Sequence, residues 1–153
     1  MICGDPFFFA IQFDVVKPWC VQNDIWVNGV FTLYIEGDKL FDIVDVFELK
    51  TILSFYTNSP VNKLCTNDIN IDAVKLYKNA ENYFTGDGED LIDGLFYLTC
   101  TAMEDNGIYL YFIKTSAADR LVWSKDNGSN VHETILPSGT ISDVINQLHH
   151  YQL

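Results

Sequence analysis

The chain has 153 residues, of which 48% are hydrophobic and 14% aromatic, and 21 Asp and Glu against 9 Lys and Arg give it a formal net charge of −12. The hydrophobic and aromatic content excludes a disordered acidic tail and predicts a single folded domain over residues 1–153. This charge disfavours nucleic acid and anionic membranes as partners and favours cationic ones, although acidic charge also serves solubility alone.

The first third of the sequence predicts an antiparallel meander. Asn28-Gly29 suits a two-residue type I′ hairpin turn, because both residues accept positive φ angles, and Gly37-Asp38 predicts a second turn. Lys17-Pro18 ends the first strand. The predicted strands are Phe7–Val16, Asp24–Val27, Val30–Ile35 and Leu40–Val44.

Three segments have helical character. Asp45 is expected to cap a helix over about Val46–Tyr56, which Asn58-Ser59-Pro60 ends. A second helix is predicted over Asp72–Phe84, and a third from about Thr140. The apolar positions recur at helical spacing in the last two, with Ala73, Tyr77, Ala80 and Phe84 in one and Ile141, Val144, Ile145, Leu148 and Tyr151 in the other.

The second half contains two more hairpin signals, Asp105-Asn106-Gly107 and Asp126-Asn127-Gly128. Tyr109–Ile113 is nearly all apolar, which is typical of a central strand covered on both faces. Since hairpins dominate and no βαβ pattern is visible, we predict an α+β fold in which an antiparallel β meander packs with two or three helices. The strands expected around these turns are Leu95–Met103, Ile108–Lys114, Leu121–Ser124 and Val131–Leu136.

The sequence offers little for catalysis, cofactors or metals, and we predict that the protein is not an enzyme. No nucleophile-elbow, P-loop or dinucleotide-binding motif is present. The run Gly86–Gly94 alternates glycines and carboxylates but lacks the closing acid of a calcium loop. The sequence has no apolar run of membrane length and no visible signal peptide, which predicts a cytoplasmic protein. The cysteines are widely spaced and are expected to be reduced thiols; they are Cys3, Cys20, Cys65 and Cys100.

Two groups of carboxylates are the candidate binding residues. One surrounds the second predicted turn, with Lys39 as the cation among them, and the other lies in a stretch, residues 79–113, that has no Lys or Arg. Such clusters are either solvated surface or a docking face for a basic partner. Exposed tryptophan is a common interface anchor. The candidates are Glu36, Asp38, Asp42, Glu48, Asp87, Glu89, Asp90 and Asp93, with Trp26 as the aromatic one.

Several motifs resemble the bacterial immunity protein 42 family. The opening Gly4-Asp5-Pro6 followed by Phe9–Phe13 is similar to the family's start, as is Asn28–Phe31 leading to Tyr34-Ile35 and Gly37. The run Arg120–Ser124, then Gly128, Glu133–Pro137 and Gly139-Thr140, is similar to its ending. The resemblance implies the antidote of a polymorphic toxin, including toxins of contact-dependent growth inhibition, and the family has no catalytic motif to transfer.

Charge and resemblance together indicate an immunity protein that neutralises a cognate toxin domain in a one-to-one complex. A basic nuclease, specifically an RNase, is the favoured toxin, because nucleases hold phosphates with basic surfaces that an acidic protein occludes. The alternative is a non-catalytic adaptor or chaperone that binds a secreted effector and leaves its activity unchanged. An unrecognised enzyme is the third hypothesis.

Overall fold

The computed structural model describes residues 1–20, 25–63 and 70–153. Their contacts group into two compact units: unit 1 contains residues 1–59, 100–102 and 140–153, and unit 2 contains residues 60–99 and 103–139. The prediction of one domain over residues 1–153 stays a prediction. Both units combine antiparallel sheet with helix, which confirms the α+β fold class.

The elements in chain order are β1 (Ile2–Asp5), β2 (Phe9–Val15), β3 (Asn28–Ile35), β4 (Asp38–Phe41), β5 (Phe47–Glu48), α1 (Leu49–Thr57), α2 (Ala73–Thr85), β6 (Leu95–Tyr97), α3 (Thr101–Glu104), β7 (Tyr109–Lys114), β8 (Ala118–Ser124), β9 (His132–Pro137) and α4 (Thr140–His149). In unit 1 the strands follow the order β1-β2-β3-β4, and β5 pairs with β3. A short 3-10 helix, Lys17–Trp19, follows β2. The sheet of unit 2 has the order β6-β7-β8-β9.

The predicted Asn28-Gly29 hairpin is wrong. Both residues belong to β3, where Gly29 pairs with Val15 on one side and Phe47 on the other. A Cβ on Gly29 would lie 2.2 Å from the Asp14 carbonyl oxygen, so this glycine allows close approach of two strands instead of a turn. Asp24 lies outside the described residues, and residues 25–27 form no strand.

The first helix also differs from its prediction. α1 begins at Leu49, and its N-terminal cap is Glu48, not Asp45. The Glu48 carboxylate accepts hydrogen bonds from the backbone amides of Lys50 and Thr51 at 3.3 and 2.6 Å. Sequence preference favours Asp over Glu at a helix cap, but residues 47–48 are already tied to β3 as a strand, which places Glu48 at the turn into the helix.

The core of unit 1 is aromatic. The Phe31 ring lies 5.2 Å from Phe41 and 5.9 Å from Tyr56, measured between ring centroids, and all three side chains are fully buried. α4 buries the stripe that its sequence predicts, Ile141, Val144, Ile145 and Leu148, while Tyr151 lies beyond the helix and stacks on Phe13. Burying these side chains removes large apolar areas from water, and each Å² of apolar surface buried stabilises the fold by about 25 cal/mol.

In unit 2, α2 packs on the sheet. Tyr77 and Ala80 of α2 lie in one buried cluster with Tyr111 and Val122. The prediction of a central, doubly covered strand is confirmed, because β7 lies between β6 and β8 and its four inner residues are buried. The predicted strand Leu95–Met103 is too long, since β6 ends at Tyr97 and α3 occupies Thr101–Glu104.

Candidate protein-binding surfaces

The first acidic cluster (Glu36, Asp38, Asp42 and Glu48) lies in unit 1, but the structure separates its members. Glu36 and Asp38 flank the end of β3 at Ile35, whereas Glu48 pairs with Asn28 at the other end of that strand. Glu36 and Gly37 have φ angles of 53° and 88°, which define a type I′ turn between β3 and β4. This turn leaves Glu36 and Asp38 exposed at its ends, and Asp42 is exposed just after β4. In the described parts of the chain, neither Asp38 nor Asp42 forms an ion pair, so both carboxylates face solvent without a fixed counter-charge.

One exposed aromatic side chain, Phe7, lies beside this turn. The Gly37 amide donates to the Pro6 carbonyl, and a Cβ on Gly37 would lie 3.6 Å from the Phe7 ring. Phe7 is 78% exposed, so its ring offers a large apolar surface next to this turn. Trp26, the aromatic residue that the sequence proposed, is 54% exposed but precedes β3, at the end of that strand away from the turn. Single exposed rings are normal on proteins, although aromatic side chains also serve as anchors of interfaces.

Glu48 differs in kind from the other members of this cluster. Besides capping α1, its carboxylate accepts from the Val27 amide at 3.4 Å. Burial alone would raise the pKa of Glu48, but the hydrogen bonds from Thr51, Lys50 and Val27 outweigh it and hold that pKa below its ordinary value. Glu48 therefore has a structural role in unit 1, whatever it contributes to binding.

The acidic loop, residues 86–94, lies in unit 2 and contains the other four candidate carboxylates. Gly86 ends α2 in the left-handed region with φ 91°. The amides of Asp87 and Gly88 then donate to the Asn82 carbonyl at 2.9 and 2.8 Å, which folds the loop back on the helix end. Asp87, Glu89, Asp90 and Asp93 are all exposed.

Asn79 fastens the middle of the acidic loop. Its side-chain amide donates to the Asp90 carbonyl at 2.8 Å, and its side-chain oxygen accepts from the Ile92 amide at 2.9 Å. Only one orientation of the amide satisfies both bonds, so the assignment is unambiguous. Four carboxylates are thus carried on a loop of fixed backbone, and sequence reasoning missed Asn79 because its partners lie 11 and 13 residues away.

A single ion pair interrupts this negative surface. Lys63 Nζ lies 3.3 Å from Asp93 Oδ1, and both side chains are more than half exposed. Asp87, Glu89 and Asp90 have no ion pair among the residues that the structure describes. An exposed pair of this kind contributes about 0–1 kcal/mol, so Lys63 neutralises one carboxylate without locking it in place.

An aromatic cleft adjoins the acidic loop. Its volume is about 420 Å³, within the range of about 300–1,000 Å³ typical of ligand pockets. The Phe84 ring lies 4.8 Å from the Tyr97 ring, and Phe84 is 39% exposed. The residues that matter for its chemistry are Lys63, Tyr83, Phe84, Asp93, Phe96 and Tyr97.

Elsewhere in unit 2, the β8–β9 connection is organised by Asp126. Its carboxylate accepts from the side chain and the backbone amide of Asn130 and from the Ser124 hydroxyl, and these bonds lower the pKa of Asp126 to about 2. Ser124 Oγ also accepts from the amides of Asp126 and Gly128, which uses its full hydrogen-bonding capacity. The nearby Tyr77 hydroxyl is buried and has no hydrogen-bond partner among the described residues.

Other expectations concern metals, thiols and membranes. No group of three or more His, Cys, Asp or Glu is placed to hold a metal ion in the described ranges, the acidic loop included. Cys3, Cys20 and Cys100 form no disulfide in the described chain, and Cys65 lies outside the described residues. Of the helices in the described chain, none has both the length and the apolar character needed to span a bilayer.

The fold and its exposed carboxylates define an acidic α+β protein with two candidate binding surfaces among the described residues. Residues 1–151 match the family model described as Immunity protein 42, and the chain belongs to that family. It is therefore an immunity protein, as the resemblance of its sequence motifs predicts.

A solved structure has the same fold. CdiI from Burkholderia dolosa AUO158 is similar to this chain with a TM-score of 0.79 and 18% sequence identity, over 98% of this chain and 99% of that one. At this identity the similarity establishes the fold and no site residue. Among curated proteins, no sequence matches this chain.

Proposed function

We propose that this immunity protein binds and neutralises one cognate toxin domain of a contact-dependent growth inhibition system, in a one-to-one complex in the cytoplasm. The favoured toxin is a nuclease, specifically an RNase, whose basic active site is occluded by the carboxylates. The protein acts by binding and performs no reaction. Family membership and the fold shared with CdiI support the toxin–immunity setting.

The observation that carries the mechanism is the arrangement of the acidic loop. Asp87, Glu89 and Asp90 project from a backbone fixed by Asn79, with no ion pair among the described residues. Unpaired carboxylates on a rigid loop lose little conformational freedom when they meet phosphate-binding lysines and arginines. Complementary charge also accelerates association, towards about 10⁸–10⁹ M⁻¹s⁻¹ at low salt.

Charge alone does not give a long-lived complex. Differences in affinity between related complexes arise mostly from dissociation rates, which buried aromatic anchors slow. Phe7 in unit 1 and Phe84 in unit 2 are exposed beside carboxylates and are suited to this role. We therefore expect affinity to depend on ring contacts and association rate to depend on ionic strength.

The test uses the purified toxin domain encoded beside this gene and an assay of its nuclease activity. Wild-type protein is expected to abolish activity at equimolar concentration, with an association rate that falls as salt rises. The reversals Asp87→Lys/Asp90→Lys and Glu36→Lys/Asp38→Lys each change the net charge by the same amount. At least one of them is expected to weaken inhibition by tenfold or more, on the order of 1.4 kcal/mol.

Asp105→Lys/Asp143→Lys is the matched control, because both side chains are exposed and belong neither to the first acidic cluster nor to the acidic loop. Its net charge changes equally, so it reports the loss of long-range attraction alone. If both surface reversals inhibit as well as this control, electrostatic occlusion is wrong. If the wild type binds the toxin and leaves its activity intact, the adaptor hypothesis replaces the proposal.

A further inference from the structure

The aromatic cleft combines two features that each attract a cation. The faces of Phe and Tyr rings carry negative electrostatic potential and attract ammonium and guanidinium groups within about 6 Å of the ring centroid. Phe84 and Tyr83 are both partly exposed there, with ring centroids 5.2 Å apart. Asp93, from the acidic loop, lines the same cleft and supplies a carboxylate.

We propose that the aromatic cleft receives a basic side chain of the toxin domain, with arginine preferred over lysine. The inference rests on the proposed function and names the point in unit 2 at which binding is anchored. A guanidinium group stacks flat on an aromatic ring and donates to a carboxylate at its edge, whereas an ammonium group offers only a point charge. The cleft volume, about 420 Å³, accommodates such a side chain.

The cleft already holds a cation of this protein at its rim. Lys63 Nζ on Asp93 Oδ1 occupies one of the positions that a guanidinium group from the partner requires. Because this pair is exposed and weak, an incoming arginine displaces Lys63 at little cost. Lys63 is thus an internal competitor, and the complex forms against its pairing with Asp93.

This competition predicts that affinity for the toxin domain increases when the ammonium group of Lys63 is removed. Lys63→Met keeps the apolar length of the side chain and frees Asp93, and it is expected to lower the Kd about threefold. Lys75→Met is the matched control, since Lys75 also pairs with an exposed carboxylate, Asp72, at 3.7 Å. Lys75 lies eight residues before Tyr83 in α2, about 12 Å along the helix axis. Its replacement by Met therefore removes the same charge as Lys63→Met without altering the cleft.

The second arm removes the attraction itself. Phe84→Leu preserves apolar volume but removes the ring, and it is expected to raise the Kd about tenfold, whereas Phe84→Tyr restores a ring and recovers most of the loss. Asp93→Asn is expected to raise the Kd in the same direction. Thermal unfolding of each variant separates loss of binding from loss of folding, and Phe84→Tyr together with Lys63→Met keeps the test informative if Phe84→Leu unfolds.

The binding measurement is isothermal titration with the toxin domain encoded beside this gene. If wild type binds and inhibits, while Phe84→Leu and Asp93→Asn bind equally well, the cleft is not the anchor and only this inference is overturned. Lys63→Met binding no more tightly than Lys75→Met overturns the competition with Lys63. If the wild type fails to bind at all, the proposed function itself is wrong.

Discussion

Replacement of Asn79 tests whether the acidic loop is held by one side chain. Asn79→Ala removes two hydrogen bonds, to the Asp90 carbonyl at 2.8 Å and from the Ile92 amide at 2.9 Å. At a net value of about 0.5–1.5 kcal/mol for each bond, the expected loss in the free energy of unfolding is about 1–3 kcal/mol. Alanine is the better helix former, so part of this loss is offset within α2.

The assay is urea unfolding followed by tryptophan fluorescence, since Trp123 lies in β8 of the same unit. Amide hydrogen exchange at Ile92 gives the local readout, and it is expected to accelerate in Asn79→Ala. Asn82→Ala is the control, because Asn82 lies in the same helix and its side chain makes no hydrogen bond in the described chain. A loss below about 0.5 kcal/mol, with unchanged exchange at Ile92, would refute the clamp.

Three further predictions test the structural roles assigned above. Tyr77→Phe removes a buried hydroxyl that has no partner among the described residues. The free energy of unfolding is therefore expected to stay equal or to rise by up to about 1–2 kcal/mol. A clear loss of stability in urea unfolding would instead reveal a hydrogen bond at that oxygen. Glu48→Ala is expected to cost about 1 kcal/mol through loss of the α1 cap. Because the folded pKa of Glu48 lies below the ordinary 4.5, this contribution is fully present above that pH and disappears as the pH falls through the folded pKa, so unfolding curves of variant and wild type must converge in acid. Gly29→Ala places a Cβ 2.2 Å from a backbone oxygen and is expected to lower the free energy of unfolding by about 3 kcal/mol or more. Gly139→Ala is the control, because its Cβ meets no atom within 4 Å and only the strain of its φ of 93°, about 1–2 kcal/mol, is expected. Equal melting temperatures for the two variants would contradict the close approach of β2 and β3.

Local sequence signals predicted the elements whose cause is local. The α4 stripe follows from helical periodicity, and Asn127-Gly128 has the positive φ angles that its turn requires, 53° and 78°. α2 covers Ala73–Thr85, within one residue of the predicted bounds Asp72–Phe84. In each case the favourable backbone geometry is a property of the segment itself.

The errors arose where distant segments decide the structure. Asn28-Gly29 has the residues of a hairpin turn, but pairing with both β2 and β5 keeps it extended, and the close approach of Asp14 explains the glycine. β1 was missed because its four residues become a strand only through pairing with β2. Register and pairing outweigh local preference in sheets, which is why turn motifs alone mislead.

The candidate carboxylates show the same division. Charge counting along the sequence located the acidic loop and the Glu36–Asp38 turn, because an excess of acids over cations in a segment is visible in the sequence itself. It did not show that Glu48 caps α1, that Lys63 reaches Asp93 across 30 residues, or that Phe84 opens into a cleft. These facts depend on tertiary contacts that spacing does not encode.

The way the acidic loop is fastened separates its recognition chemistry from its folding. Asn79 and the end of α2 grip only main-chain atoms of the loop, namely the Asp90 carbonyl and the amides of Asp87, Gly88 and Ile92. The exposed side chains at 87, 89 and 90 are therefore exchangeable for other polar residues with little penalty to stability. A lineage that faces a new toxin can rewrite these three positions one at a time, and its antidote remains a folded protein throughout.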